Sequence, residues 1–295
     1  MNILITGGTG FIGKALSERL YSCGHSISIL TRTPQKVPEF AKAITKIKPN
    51  IYFDAIVNLA GHPIADQRWS QSVKAQIVDS RLNITQDIID YIKSTEIKPQ
   101  VLISGSAIGF YGVAASNDRV DELGKPDSSF SSLLCQKWES TALKADAYGV
   151  RTCLIRTGIV LGYGQGALKK MILPFKLGLG GRIGDGKQMM PWIHIEDQIN
   201  AILFCLDRKD ISGPINLVAP TAVSNSLFTR TLGRVLNRPT IMPVPAFMIK
   251  LIMGKMGQEL LLSGKNVVPS RLLKEGFEFK FKDLNKALEQ IINRN

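Results

Sequence analysis

Three glycines spaced three residues apart carry the first readable chemistry of the chain. Gly7, Gly10 and Gly13 follow a short apolar run, Ile3 to Ile5, and lead into apolar residues at helical spacing. That order is strand, tight turn and helix. The first glycine turns the chain, the second lets the backbone approach a pyrophosphate, and the third lets the helix pack on the sheet. The helix N-terminus offers free N–H groups and a partial positive charge to phosphates. A second strand, His25 to Leu30, ends in Thr31-Arg32-Thr33. An acid that would hold the adenosine ribose hydroxyls belongs here, roughly 20 residues past the glycines. Arg32 stands there instead, flanked by two threonines. A guanidinium fork suits a 2′-phosphate, which a carboxylate would repel, so the expected cofactor is NADP(H) rather than NAD.

The elements that must position these groups alternate regularly at first. Ala55 to Gly61 reads as the next strand, and its small terminal residues let backbone lie flat against a cofactor. A polar stretch, His62 to Arg81, follows; Lys74 and Arg81 lie two helical turns apart and so share a face. Asn83 to Ile92 continues as an amphipathic helix, and Gln100 to Ser106 is a fourth strand. Asp121 to Phe130 reads as a loop, Ser131 to Tyr148 as a helix closed by Gly149, and Arg151 to Gly158 as a strand. The alternation then loosens into a glycine-rich stretch. His194 is expected to make a structural hydrogen bond and Asp197 to cap a helix running to Cys205. Asn216 to Val218 is a strand; helices follow, with one strand-like run at Phe277 to Phe281 and a last helix at Leu284 to Ile292. The expected fold is α/β, a doubly wound parallel sheet of the Rossmann type. Residues 1–220 would form the NADP-binding domain, with a substrate-region insertion around 162–192. Residues 221–295 would form a smaller, mostly helical substrate region.

Composition bounds the rest. The 295 residues are 44% hydrophobic and 21% charged, which suits a globular chain. The most apolar stretch, Ile241 to Gly254, is interrupted by Pro243, Pro245 and Lys250, so no membrane partner is expected. The first strand starts at residue 3, leaving no space for a signal peptide, and the four cysteines show neither a disulfide framework nor a zinc spacing. A cytoplasmic location is the expectation. The formal charge of +13 is dispersed rather than gathered in blocks. That pattern favours a basic surface receiving an anionic small molecule over nucleic-acid binding.

Taken together, GGTGFIG, Asn58 to Ile64 (NLAG-x-P-I), Arg68-Trp69, Ser80-Arg81, Cys135-Gln-Lys-Trp-Glu139, Arg156 to Gly162 and Trp-Ile-His-Ile-Glu-Asp197 resemble one family. It is the extended, atypical short-chain dehydrogenase/reductases, in the branch labelled "epimerase family protein" and related to the epimerase/dehydratases. The resemblance spans nearly the whole chain, including the region after Pro245. It implies that Gly7, Gly10 and Gly13 form the phosphate loop, with Phe11 and Ile12 as backbone donors, and that Thr31, Arg32 and Thr33 select NADP. It also implies that Leu59, Ala60 and Gly61 line the adenine and ribose side. Gly158, Ile159 and Val160 would present backbone to the nicotinamide. Arg81 is counted with the cofactor contacts, and Ser106 looks like the serine that bonds a substrate oxygen.

One departure is large. Working relatives carry a Tyr and a Lys four apart on the helix after that serine, the phenol moving the proton that accompanies hydride transfer. With Glu139 aligned to the acid that follows the pair, those places are Ser131 and Cys135. The remaining candidates for chemistry are Cys135, if its thiolate is stabilised, and Tyr111, just past Ser106. The expectation is an NADP-dependent oxidoreductase or nucleotide-sugar epimerase-like enzyme. The alternative is a catalytically impaired NADP-binding regulatory or partner-binding protein, such as one linked to cell division. Relatives often pair through the helices flanking the site, so the chain is expected to be a monomer or homodimer.

Overall fold

In a computed structural model, residues 1–113 and 116–293 are described. Seven strands form one all-parallel sheet: β1 Asn2–Thr6, β2 Ser26–Leu30, β3 Lys42–Ile44, β4 Ala55–Asn58, β5 Val101–Ala107, β6 Arg151–Thr157 and β7 Gly213–Leu217. Their spatial order is β7-β6-β5-β4-β1-β2-β3. The order reverses between β1 and β4, and the crevice beyond the carboxyl ends at such a switch is where doubly wound sheets bind ligands. β3 was not anticipated: three residues at the sheet edge give no period to read, so Val101–Ala107 is the fifth strand rather than the fourth.

The period of two along the strands sorts the core. Ile3, Ile5, Ile103 and Ile155 face one layer with helices α1 (Phe11–Ser22) and α5 (Ile195–Asp207). Leu4, Leu102 and Leu154 face the other with α2, a 24-residue helix over Gln71–Ser94. Helix α3 (Phe130–Ala142) packs beside α2, and a 3₁₀ segment, Leu143–Tyr148, completes what the sequence suggests as one helix; Gly149 (φ 76) ends it. Helices α4 (Gly166–Lys176), α6 (Asn225–Val235), α7 (Ala246–Leu260), α8 (Ser270–Lys274) and α9 (Leu284–Ile292) make the C-terminal half mostly helical. Another apolar cluster joins Leu161, Trp192, Phe228 and Leu288, while Phe277 and Phe279 enter the α1–α5 core. No helix among the described residues is long and apolar enough to cross a membrane.

Two local expectations are corrected here. Phe277 to Phe281 is not a strand. Its backbone N–H groups at Lys280 and Phe281 go to the Asp197 carboxylate, at 2.8 and 2.9 Å, and its rings fill two cores. Asp197 is therefore a clip for the C-terminal segment, and the cap of α5 is His194, whose Nδ1 accepts from the Glu196 amide at 3.1 Å. The imidazole also stacks on Phe281, ring centroids 3.8 Å apart.

Candidate functional site: a dinucleotide crevice and a buried polar row

The three glycines meet the switch point closely. Gly7 adopts φ +69, and a Cβ there would lie 2.7 Å from the Leu59 carbonyl; a Cβ on Gly13 would lie 2.2 Å from the Gly7 oxygen. Gly10 is different: it is exposed, has φ −84, and a Cβ would approach only the Gly7 oxygen, at 3.2 Å. Gly10 is also the N-cap of α1, which has no side-chain cap and no acid in its first turn. The N–H groups at Phe11, Ile12 and Gly13 thus have no intrahelical partner and point at the crevice mouth. This cradle fits a pyrophosphate.

The far walls follow from strand ends. Leu59 and Ala60 are fixed by Thr6, whose carbonyl and Oγ1 accept their amides at 3.2 and 3.1 Å. Thr6 Oγ1 donates to Asn58 Oδ1 at 2.7 Å, and Asn58 Nδ2 donates to Thr85 on α2 at 2.8 Å. Arg32 is exposed beyond β2, and no ion pair to it occurs among the described residues. Thr31 and Thr33 hold their turn through the Thr33 amide, 3.1 Å from Thr31 Oγ1. Arg81 lies under Gly61, where a Cβ would sit 2.8 Å from its Cζ. Its Nη1 donates to the carbonyls of His62 and Ile77, and its guanidinium lies 5.3 Å from the Trp138 ring centroid. Burial lowers its pKa. Arg81 braces the Leu59–Gly61 wall rather than reaching a cofactor with that nitrogen. The amides of Gly158 and Ile159 also have partners inside the fold, the carbonyls of Leu217 and Pro191 at 3.0 and 2.8 Å. The expected presentation of Gly158–Val160 backbone is thereby reduced: two donors are spent on chain pairing, and Val160 is buried.

Below the crevice runs a row of polar groups. Ser106, Arg156 and Asn216 stand side by side in register across β5, β6 and β7. Ser106 Oγ donates to Glu139 Oε1 at 2.6 Å, and Arg156 grips the same carboxylate through Nε and Nη2, each at 2.8 Å. Arg156 Nη1 donates to the Tyr111 hydroxyl at 3.0 Å, and that hydroxyl donates to Asn216 Oδ1 at 2.6 Å. The guanidinium also stacks over Phe110, 3.5 Å from the ring centroid. Nothing in the local sequence marks Arg156 except its own oddity, a cation inside the apolar run Thr-Cys-Leu-Ile-Arg-Thr. A buried charge demands a partner, and Glu139, one helix back, is that partner.

This row corrects two catalytic candidates. Tyr111 is fully buried with its hydroxyl engaged on both sides, and burial pushes the phenol up to about 12. It holds Arg156 and Asn216 in place and does not stand in for the missing phenol. Cys135 is buried beside the Ala107 carbonyl, and burial pushes its thiol up to about 11, the wrong direction for a nucleophile. In the folded protein at pH 8, iodoacetamide is expected to label exposed Cys23 and spare Cys135; mass spectrometry of the alkylated protein reads this directly. Ser106 remains as a hydroxyl with acceptor capacity, oriented by Glu139.

Sequence reading missed what occupies the vacated tyrosine position. Ser131 Oγ and the Ser131 amide both donate to Glu259 Oε2, at 2.7 and 3.0 Å, and the Phe130 amide reaches Oε1 at 3.3 Å. A carboxylate from α7 thus sits on the positive end of α3, where such a charge is favoured. Nearby, Lys74 lies over the rings of Phe130 and Trp69, 4.7 and 5.6 Å from their centroids. Lys74 and Arg81 do share the α2 face that turns to α3, one at each end of the contact.

A parallel sheet reversing at a glycine cradle defines a dinucleotide-binding fold. The model of the NAD dependent epimerase/dehydratase family matches residues 3–217, and the chain belongs to that family. A second model, described as a domain of unknown function (DUF1731), matches residues 244–291. The chain is 37% identical to epimerase family protein YfhF of Bacillus subtilis, covering 99% of this chain and 98% of that one. It is 38% identical to a chloroplastic SDR39U1 homolog of Arabidopsis thaliana, covering 99% of this chain and 87% of that one. The crystal structure of human epimerase family protein SDR39U1 with NADPH superposes with a TM-score of 0.91, at 32% identity and full coverage of both chains.

Proposed function

We propose that this chain binds NADP(H) in the β1–β4 crevice and performs oxidoreductase or epimerase-like chemistry on a small anionic substrate. One observation carries the reading. Gly7 and Gly13 admit no Cβ, while a Cβ on Gly10, at an uncapped helix head, would meet only the Gly7 oxygen at 3.2 Å, and Arg32 stands where an NAD site keeps an acid. The NADPH in the human relative's structure supports the same cofactor. When bound, NADP(H) supplies a hydride donor or acceptor at its nicotinamide. Ser106, oriented by Glu139, would contact the substrate oxygen. Tyr111 and Cys135 are buried with raised pKa values and are not assigned the accompanying proton; the carboxylate held at the vacated tyrosine position is Glu259, bonded to Ser131. Lys74 and Arg68 would attract the substrate's charge. The free cysteines support a reducing compartment such as the cytoplasm.

A second reading, a protein that holds the cofactor without turnover, draws on one fact: among the described residues the family's phenol and ammonium places are Ser131 and Cys135. The two readings share the cofactor, so Arg32→Glu tests the common part. By NADPH fluorescence titration this variant is expected to lose about tenfold or more in NADPH affinity, roughly 1.4 kcal/mol, with NADH affinity little changed. An unchanged NADPH-to-NADH ratio contradicts the assignment of Arg32. Turnover of NADPH in a screen of nucleotide sugars and carbonyl compounds, lost in Ser106→Ala, separates the enzyme from the holding protein.

A further inference from the structure

Two adjoining segments of the C-terminal half, residues 166–182 and 238–258, expose an unusual apolar surface. Leu173, Leu177 and Leu179 after and along α4, and Phe247, Leu251 and Ile252 on α7, each leave more than half of their surface in solvent, Leu251 as much as 73%. The segments are joined by one backbone and one side-chain hydrogen bond: the Val244 amide donates to the Arg182 carbonyl at 2.8 Å, and Arg238 Nε donates to the Lys176 carbonyl at 3.0 Å. Phe247, Leu251 and Ile252 fall at helical spacing, so α7 presents them as a stripe. Between them the two segments hold five lysines and two arginines and no Asp or Glu, although the chain has 24 acids. Only Lys170 of these cations has an acidic partner among the described ion pairs, the exposed Asp66.

We propose that this face docks on an anionic lipid surface. A second copy is disfavoured because a two-fold interface sets the same patch against itself, cation against cation. A protein partner is disfavoured because protein interfaces deplete lysine, whereas this face is flanked mainly by lysines. Lysines suit a bilayer interface: their stems lie along apolar surface while the ammonium reaches headgroup phosphate. Apolar insertion and headgroup attraction then add, as in other peripheral proteins that need two signals to bind. The expectation of no membrane partner rests on the lack of a span, and a peripheral surface of this kind needs none. Glu259, at the head of α3, lies beyond the kink at Gly254 (φ 60), which separates it from the helical turns carrying Phe247, Leu251 and Ile252.

Vesicle co-sedimentation tests this with phosphatidylcholine alone against phosphatidylcholine containing about 30% phosphatidylglycerol. The protein is expected to partition at least about tenfold more strongly to the anionic vesicles, and to lose that gain in the double variant Leu251→Glu, Ile252→Glu. A second double variant, Leu177→Glu with Leu179→Glu, is expected to do the same should the first fail to fold by circular dichroism. Ile97→Glu, on the turn before β5, keeps the binding. No preference for anionic vesicles overturns the proposal. So does retention of binding by folded face variants, loss in Ile97→Glu as well, equal binding to polyglutamate unaffected by the face variants, or a dimer on light scattering that the face variants dissolve.

Discussion

Valine at Gly10 is expected to leave the protein folded and to cost about 100-fold or more in NADPH affinity, roughly 2.7 kcal/mol. The two halves of that result come from one geometry. Gly10 has a backbone conformation open to any residue, and a Cβ there approaches only the Gly7 oxygen, at 3.2 Å, a tight contact that asks that oxygen to give by a few tenths of an ångström. The branches of the side chain then project over the head of α1, into the space a pyrophosphate must occupy to reach the N–H groups at Phe11 and Ile12. Losing a glycine at an N-cap costs helix stability only about 1 kcal/mol. The same change at Gly13 drives a Cβ to 2.2 Å from the Gly7 oxygen and is expected to damage folding itself. Comparing thermal melts with NADPH titrations of the two variants separates the packing glycine from the ligand glycine. Equal affinity of Gly10→Val and wild type places the cofactor elsewhere.

The second large effect is on stability. Removing Glu139 by Glu139→Ala is expected to cost about 3–5 kcal/mol in urea unfolding, because Arg156 is left charged and buried. The pair is sealed, with side chains 5% and 7% exposed, and the lost carboxylate also strands the Ser106 hydroxyl. The solvent-facing pair Lys170–Asp66, 55% and 52% exposed, is expected to yield no more than about 1 kcal/mol when broken. Adding Arg156→Met to Glu139→Ala should recover part of the loss, since the orphaned charge is gone. A double variant as unstable as the sum of the singles contradicts the coupling.

The cofactor side of the molecule is legible from sequence because its constraints are local. A strand, a glycine turn and a helix head sit within the first 22 residues, and the residue after β2 sits at a fixed offset from them. The family pattern and the parallel sheet follow from the same short-range signals. The polar row is not legible in that way. Ser106, Glu139, Arg156 and Asn216 come from four separate elements and meet only when β5, β6 and β7 align in register under α3. Tyr111 follows Ser106 closely, but the turn between them sends its ring inward, which no period in the sequence records. Glu259 is farther still, 128 residues from the serine it meets. Asp197 and Phe277–Phe281 fail for a related reason: a carboxylate near a helix start satisfies either its own helix or a passing chain, and here the chain wins.

The most direct test of the account is calorimetric titration of the wild-type protein with NADPH and with NADH side by side. Binding of NADPH with one site per chain, at least about tenfold tighter than NADH, is the predicted result. No heat from either nucleotide, or NADH bound as tightly as NADPH, contradicts it.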